Sequence, residues 1–116
     1  NRPEEALNAS RQALKAFPGD EELAFEQGMT YLDARRFKEA SDVFLAMYNR
    51  GRKGISVLAA LSQAYAGQKQ FAPARAVLEK EIAANPKNPD LQALRATVLG
   101  QEGNLPAAIA AFEKLN

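Results

Sequence analysis

The side chains able to do chemistry in this 116-residue chain are carboxylates, lysines, arginines and hydroxyls, because it contains no His and no Cys. That composition excludes His-based triads, thiol nucleophiles, disulfide frameworks and structural zinc. Carboxylates gather at Asp20, Glu21, Glu22 and Glu26, a grouping that could hold a divalent cation. They stand at a predicted helix start, where acids offset the helix dipole, and they lack an EF-hand pattern. Ser41, Ser56 and Ser62 each fall on a predicted helix with no plausible base at i±3 or i±4, so none is an activated nucleophile. There is no GxGxxG and no GxxxxGK followed by Ser or Thr, and Gly51-Arg52-Lys53-Gly54 is too short to cradle phosphate. Neither catalysis, metal nor cofactor is expected. The chemistry open to these residues is recognition.

The elements that must position them are written into a long-period repeat, the first feature to test in any chain. Four segments align without a gap, anchored at equal intervals by Ala6, Ala40, Ala74 and Ala108. The step is about 34 residues, within the range that marks stacked repeats. Large apolar residues follow four positions later at Phe44, Leu78 and Phe112, while Ser10 breaks the pattern in the first segment. Tyr31 and Tyr65 keep the same step, with Leu99 in the third copy, and Pro18 and Pro86 lie two steps apart. Each period resolves into two helices of about 13 to 15 residues: Val57, Leu58, Leu61, Ala64 and Tyr65 share one face, and Ala74, Val77, Leu78 and Ile82 another. Asp20 and the run Asn88-Pro89-Asp90 read as helix starts, and Gly51, Gly67 and Gly103-Asn104 as stops. Nothing reads as a strand, so the fold class is all-α.

Packing logic accounts for the spacing. Small residues at Gly28, Ser62 and Ala96 face Ala40, Ala74 and Ala108 at one constant offset, so the two helix axes can approach closely. Tyr31, Tyr65 and Leu99 fill the remaining volume, and Phe44, Leu78 and Phe112 are expected to reach toward the next period. No single pair buries both its apolar faces, so the periods must stack.

These residues resemble the tetratricopeptide repeat family, whose signature runs W-x2-L-G-x2-Y, then A-x3-F, then P. The first full copy matches at Gly28, Tyr31, Ala40 and Phe44, with Ala24 and Gln27 in the Trp and Leu slots. The second matches at Leu61, Tyr65, Ala74 and Pro86, with Leu58 in the Trp slot and Leu78 in the Phe slot. The third carries Gln92 and Arg95 in the Trp and Leu slots and recovers at Ala108 and Phe112. The resemblance implies a right-handed superhelical solenoid of antiparallel helix pairs over residues 1–116. Residues 1–20 would be the second helix of a truncated repeat, 21–54 and 55–88 full repeats, and 89–116 an incomplete last repeat. This points to a fragment of a longer repeat protein.

The resemblance also implies a function, a non-catalytic scaffold that binds a peptide or partner protein in a concave groove lined by first helices. The groove positions carried across are Glu22, Phe25, Glu26, Met29 and Asp33, then Ser56, Ala59, Ala60 and Gln63, then Asp90, Ala93, Leu94 and Thr97. The Lys, Arg and Asn that grip C-terminal carboxylates in some subfamilies do not occur at these positions, so that clamp is absent. An acidic rim and a floor of small residues remain, which leaves room for a helix or an apolar side chain, with Phe25 and Met29 as anchors. The other reading of Phe25 and Met29 packs them against the preceding helix. Among the departures, Glu81 stands where the family favours alanine and is expected to reach solvent beside Lys80.

Charge adds an orientation. The chain has 15 Lys and Arg against 14 Asp and Glu, a net charge of +1. Residues 1–33 nevertheless carry −4, residues 34–87 carry +6 and residues 88–116 carry −1. Arg35, Arg36 and Lys38 lie at one end of a predicted helix, and Arg50, Arg52 and Lys53 at the other, roughly 20 Å away. They make two basic docking spots for an acidic protein or simply solvated surface. They do not make a phosphate-tracking stripe, and no aromatics interleave for base stacking, so no nucleic-acid partner is expected. No apolar run approaches the roughly 20 residues that span a bilayer, so no membrane insertion is expected. The alternative function is a self-assembly module, a homo-oligomer stacking through terminal helices in which Ile109, Phe112 and Leu115 are partly exposed. Alanine-rich helices without Cys look bacterial, and either cytoplasm or periplasm suits them. One stability consequence is direct. Ala74→Leu overpacks the close helix crossing and costs about 1–3 kcal/mol, read as a lowered denaturation midpoint; an unchanged midpoint would contradict the anchor role.

Overall fold

A computed structural model describes residues 2–115, with side chains from Glu4 onward, so the outermost residues of the expected 1–116 array lie outside the description. The helices are α1 (Arg2–Ala16), α2 (Glu21–Asp33), α3 (Phe37–Asn49), α4 (Ile55–Gly67), α5 (Phe71–Ala84), α6 (Pro89–Gln101) and α7 (Leu105–Glu113). No strand occurs among the described residues. Two compact units divide the chain, residues 1–64 and 65–116. In the first, α2 packs against both α1 and α3; in the second, α6 packs against both α5 and α7.

The turns inside the repeats, residues 34–36, 68–70 and 102–104, share one geometry. Arg36 N–H donates to Tyr31 O at 2.8 Å, Gln70 N–H to Tyr65 O at 2.9 Å and Asn104 N–H to Leu99 O at 2.9 Å. Each is the six-to-one bond of a Schellman closure, which needs a left-handed residue just before it. That residue is Arg35 (φ 62°), Lys69 (φ 58°) or Gly103 (φ 96°). Gly103 suits the conformation, whereas Arg35 and Lys69 adopt it against a steric cost of about 1–2 kcal/mol. The next residue starts the following helix, and there Asn104 accepts a hydrogen bond from Ala107 N–H at 3.3 Å. Arg36 and Gln70, in the same backbone conformation, make no side-chain cap. Elsewhere the expected caps form: Asp20 accepts from Leu23 N–H at 3.1 Å and Asn88 from Asp90 N–H at 2.9 Å. Gly51 (φ 95°) closes α3.

Anchors Ala40, Ala74 and Ala108 are buried, while Ala6 is exposed. Phe44 corrects the packing expectation. Its ring lies over Gly28 of its own pair, where an added Cβ would sit 2.5 Å from Cζ. Phe25 meets the same ring edge-on at a centroid distance of 5.5 Å. Where the corresponding slot carries a Cβ, at Ser62 and Ala96, the matching residue is the slimmer Leu78 or the 43% exposed Phe112. Glu81 is a second correction: it does not reach solvent beside Lys80 but is buried and partnered. The last helix, α7, has 9 residues and is shorter than the repeat pattern predicts.

Two measurements follow. Gly28→Ala drives a methyl into the Phe44 ring and destabilises by about 1–3 kcal/mol; Phe44→Leu added to it recovers part of that loss in the same denaturation curves. Lys69→Gly relieves the left-handed strain and gains about 0.5–1 kcal/mol, whereas Gly103→Ala loses about as much. Equal midpoints for Lys69→Gly and the parent chain would show that the turn is unstrained.

Candidate functional site

Helix α2 turns the expected groove residues outward in a stripe. Glu22, Glu26 and Asp33 are exposed, and Phe25 and Met29 are half-buried. On α4, Ser56 and Gln63 are exposed, Ala59 is half-buried, and Ala60 is buried. A cleft of about 720 Å³ opens between α2, the loop after α3 and the first turn of α4. It gathers Glu22, Phe25, Glu26 and Ser56 from the expected set, and adds Glu21, Met47, Val57 and the loop Gly51–Gly54. Met29, Asp33, Ala59, Ala60 and Gln63 do not line it. In the other unit, Asp90 and Thr97 of α6 are exposed and Ala93 and Leu94 half-buried; Thr97 Oγ1 donates to Ala93 O at 2.9 Å.

The cleft has an apolar floor of Phe25, Met47 and Val57 between walls of opposite charge. The acidic wall is Glu21, Glu22 and Glu26, on the first and second turns of α2; the basic wall is Arg52 and Lys53. Arg52 and Glu21 form an ion pair from one wall to the other. Lys53 Nζ lies 5.5 Å from the Tyr48 ring centroid, a cation–π contact that holds the loop to α3. Met47 and Val57 read from sequence as core positions alone. The visible signal for this site was the glycine-flanked basic loop beside an acidic helix start.

The remaining basic residues are placed differently. Arg35, Lys38 and Arg50 are exposed, and Lys38 pairs with Asp42 at 3.6 Å. Arg36 is half-buried and tied on three sides, to Glu39 at 2.8 Å, to Glu4 of α1 at 3.1 Å, and beneath by the Tyr31 ring at 5.4 Å. Its hydrogen bond to Glu39 raises the guanidinium pKa above its ordinary value, with smaller help from the charges of Glu39 and Glu4. A backbone hydrogen bond at the start of α3, and then Arg36, hold the Glu39 carboxyl below the usual range. Asp20 is engaged in capping α2, and among the described residues no group of three or more Asp and Glu could hold a metal ion. Ser41 Oγ donates to Lys38 O at 2.8 Å, a contact to the backbone. No helix among the described residues is long and apolar enough to cross a membrane.

Comparison with known proteins agrees with this geometry. The profile described as Tetratricopeptide repeat matches residues 1–54 and 59–115. Among solved structures, the one described as "MamA MSR-1 C2" superposes with a TM-score of 0.69 at 23% identity, over 98% of this chain. This chain spans 66% of that chain's length. No curated protein matches. With two profile matches that leave out only residues 55–58 and the last residue, and with helix pairs repeating at one constant step, the chain belongs to the tetratricopeptide repeat family, whose members generally act as non-catalytic scaffolds for protein–protein interaction.

Proposed function

We propose that this chain is a non-catalytic scaffold that binds a peptide, or an exposed segment of a partner protein, in the cleft between α2 and the start of α4. One observation carries the reading: the cleft pairs an apolar floor, Phe25, Met47 and Val57, with walls of opposite charge. Its volume, about 720 Å³, lies in the range of sites that take up small ligands or a few side chains. An apolar side chain seated on Phe25 and Met47 supplies affinity, and the two charged walls fix its orientation. Met29 and Asp33 continue the same face of α2 and extend the contact. Nucleic acid is a poor match, since Arg52 is already offset by Glu21 and the facing wall is acidic.

A second reading, self-association, is favoured by α7, where Leu105 is 59% exposed and Ile109 57%, with Phe112 and, just past the helix, Leu115 also exposed. A continuous apolar stripe of this kind is a common basis for association between copies.

The two readings separate in solution. A partner captured with the chain and then titrated loses at least about tenfold in affinity when Ser56→Arg fills the cleft mouth, which corresponds to about 1.4 kcal/mol. Ser56 is exposed, so the circular dichroism spectrum stays that of the parent; unchanged affinity would exclude the cleft. Self-association instead predicts a scattering mass that rises with concentration and is returned to one chain by Ile109→Glu.

A further inference from the structure

A second hollow, of about 540 Å³, lies wholly within residues 65–116, between α6, α7 and the loop before α6. Three cations line it, Lys87 from the loop, Arg95 from α6 and Lys114 at the end of α7, and among the described residues no carboxylate does. Of the nearby acids, Glu102 pairs with Arg75 at 3.0 Å, and Asp90 and Glu113 are not in the lining. Gln92 Nε2 donates to Pro86 O at 3.4 Å and closes one wall.

Comparison of the repeats shows why the space exists. Arg95 and Gln92 occupy the slots held one step earlier by Leu61 and Leu58, which are 1% and 2% exposed and belong to the core. Two steps earlier the slots hold Gln27 and Ala24, and there a smaller hollow of about 260 Å³ has Leu14, Val43 and Met47 in its lining, with Arg50 as its one cation. Only in the third repeat does the slot put a charge into the hollow. Arg95 has no ion pair among the described residues, and its buried Nε–H meets no acceptor there. Leaving such a donor unmet costs stability, and a guanidinium is the group best suited to an oxyanion held on two oxygens.

We propose that this hollow is an oxyanion site that takes a phosphate dianion, either free phosphate or the monoester of a phosphorylated side chain. Arg95 holds two oxygens of the anion, while Lys87 and Lys114 neutralise its charge from either side. The helix terminus adds little, because the Asp90 N–H is already bonded to Asn88 Oδ1 at 2.9 Å; the binding rests on side chains. It is separate from the cleft at α2 and independent of the function proposed for it.

The test follows the Arg95 Nε–Hε nuclear magnetic resonance signal of the whole 116-residue chain during titration with sodium phosphate, against sodium chloride at equal ionic strength. A phosphoserine peptide and its unphosphorylated counterpart form two further arms. The expected result is a saturable shift with phosphate and with the phosphopeptide, and none with chloride or the plain peptide. A phosphopeptide binding about tenfold more tightly than phosphate assigns the site to a modified protein; equal affinity assigns it to the free anion. Arg95→Leu, which restores the leucine of the preceding repeat, keeps the fold and lowers phosphate affinity at least about tenfold, read from neighbouring amides. Should that variant unfold, the exposed Lys114→Gln serves, with a loss of about threefold or more. No saturable shift in the parent chain, a shift of equal size in chloride, or parent-like affinity in the variants would overturn the proposal.

Discussion

Closing a helix onto its partner through a three-residue turn is the constraint on which the rest of this chain depends. Helices as short as α2 and α3, with 13 residues each, do not persist alone in water and draw their stability from packing. The turn that brings them together needs a left-handed residue followed by a six-to-one hydrogen bond. Gly103 and Asn104 suit that turn, but Arg35-Arg36 and Lys69-Gln70 hold the same backbone without either a glycine or a capping side chain. Magnitudes explain the tolerance. A non-glycine residue there costs about 1–2 kcal/mol, while burying one large side chain such as Phe44 or Tyr31 contributes about 1.5–3 kcal/mol. In the first pair, burial outweighs the strain of the turn.

Once the turns fix the register of the repeat, the identity of each slot decides whether a pair closes fully or leaves space. Gly28 admits the Phe44 ring onto its backbone, and the pair closes. Leu58 and Leu61 fill their slots and are buried. Ala24 with Gln27, and Gln92 with Arg95, do not fill theirs, and both places are hollow. One scaffold therefore yields a recess with Arg50 and apolar residues in its lining, a filled core, and a recess lined by three cations, from the same two positions in successive repeats.

The helix limits were legible in the sequence because each depends on residues within a few positions of one another: Asp20 with Leu23, Asn88 before Pro89, Gly51 and Gly103 at stops. Anchors Ala40, Ala74 and Ala108 were legible from their spacing. What resisted reading depends on residues brought together across the turns. Gly28 meets Phe44, Glu4 meets Arg36, and Glu81 is buried though it lies in a polar stretch beside Lys80. The same limit applies to the cleft. Glu22, Phe25, Glu26 and Ser56 followed from the family resemblance, but Met47 and Val57 read as core, and a side chain only 6% exposed, as Met47 is, can still floor a cleft. The left-handed Arg35 and Lys69 carried no local signal, since neither residue type favours that conformation.

Charge segregation along the chain acquires a different meaning from these contacts. The acidic first third and the basic middle meet inside one unit, at Glu4–Arg36 and Glu21–Arg52, so part of the contrast is consumed internally. The Arg52 and Glu21 side chains remain 57% and 40% exposed, and a pair so open to water contributes only about 0–1 kcal/mol. A partner that supplies its own carboxylate to Arg52, or its own cation to Glu21, can replace that pair at little net loss. The walls of the proposed cleft thus discriminate by sign and orientation, because charges at an open rim act mainly on encounter and register. In the function proposed, affinity comes from the floor, where Phe25, Met47 and Val57 offer apolar area to be withdrawn from water.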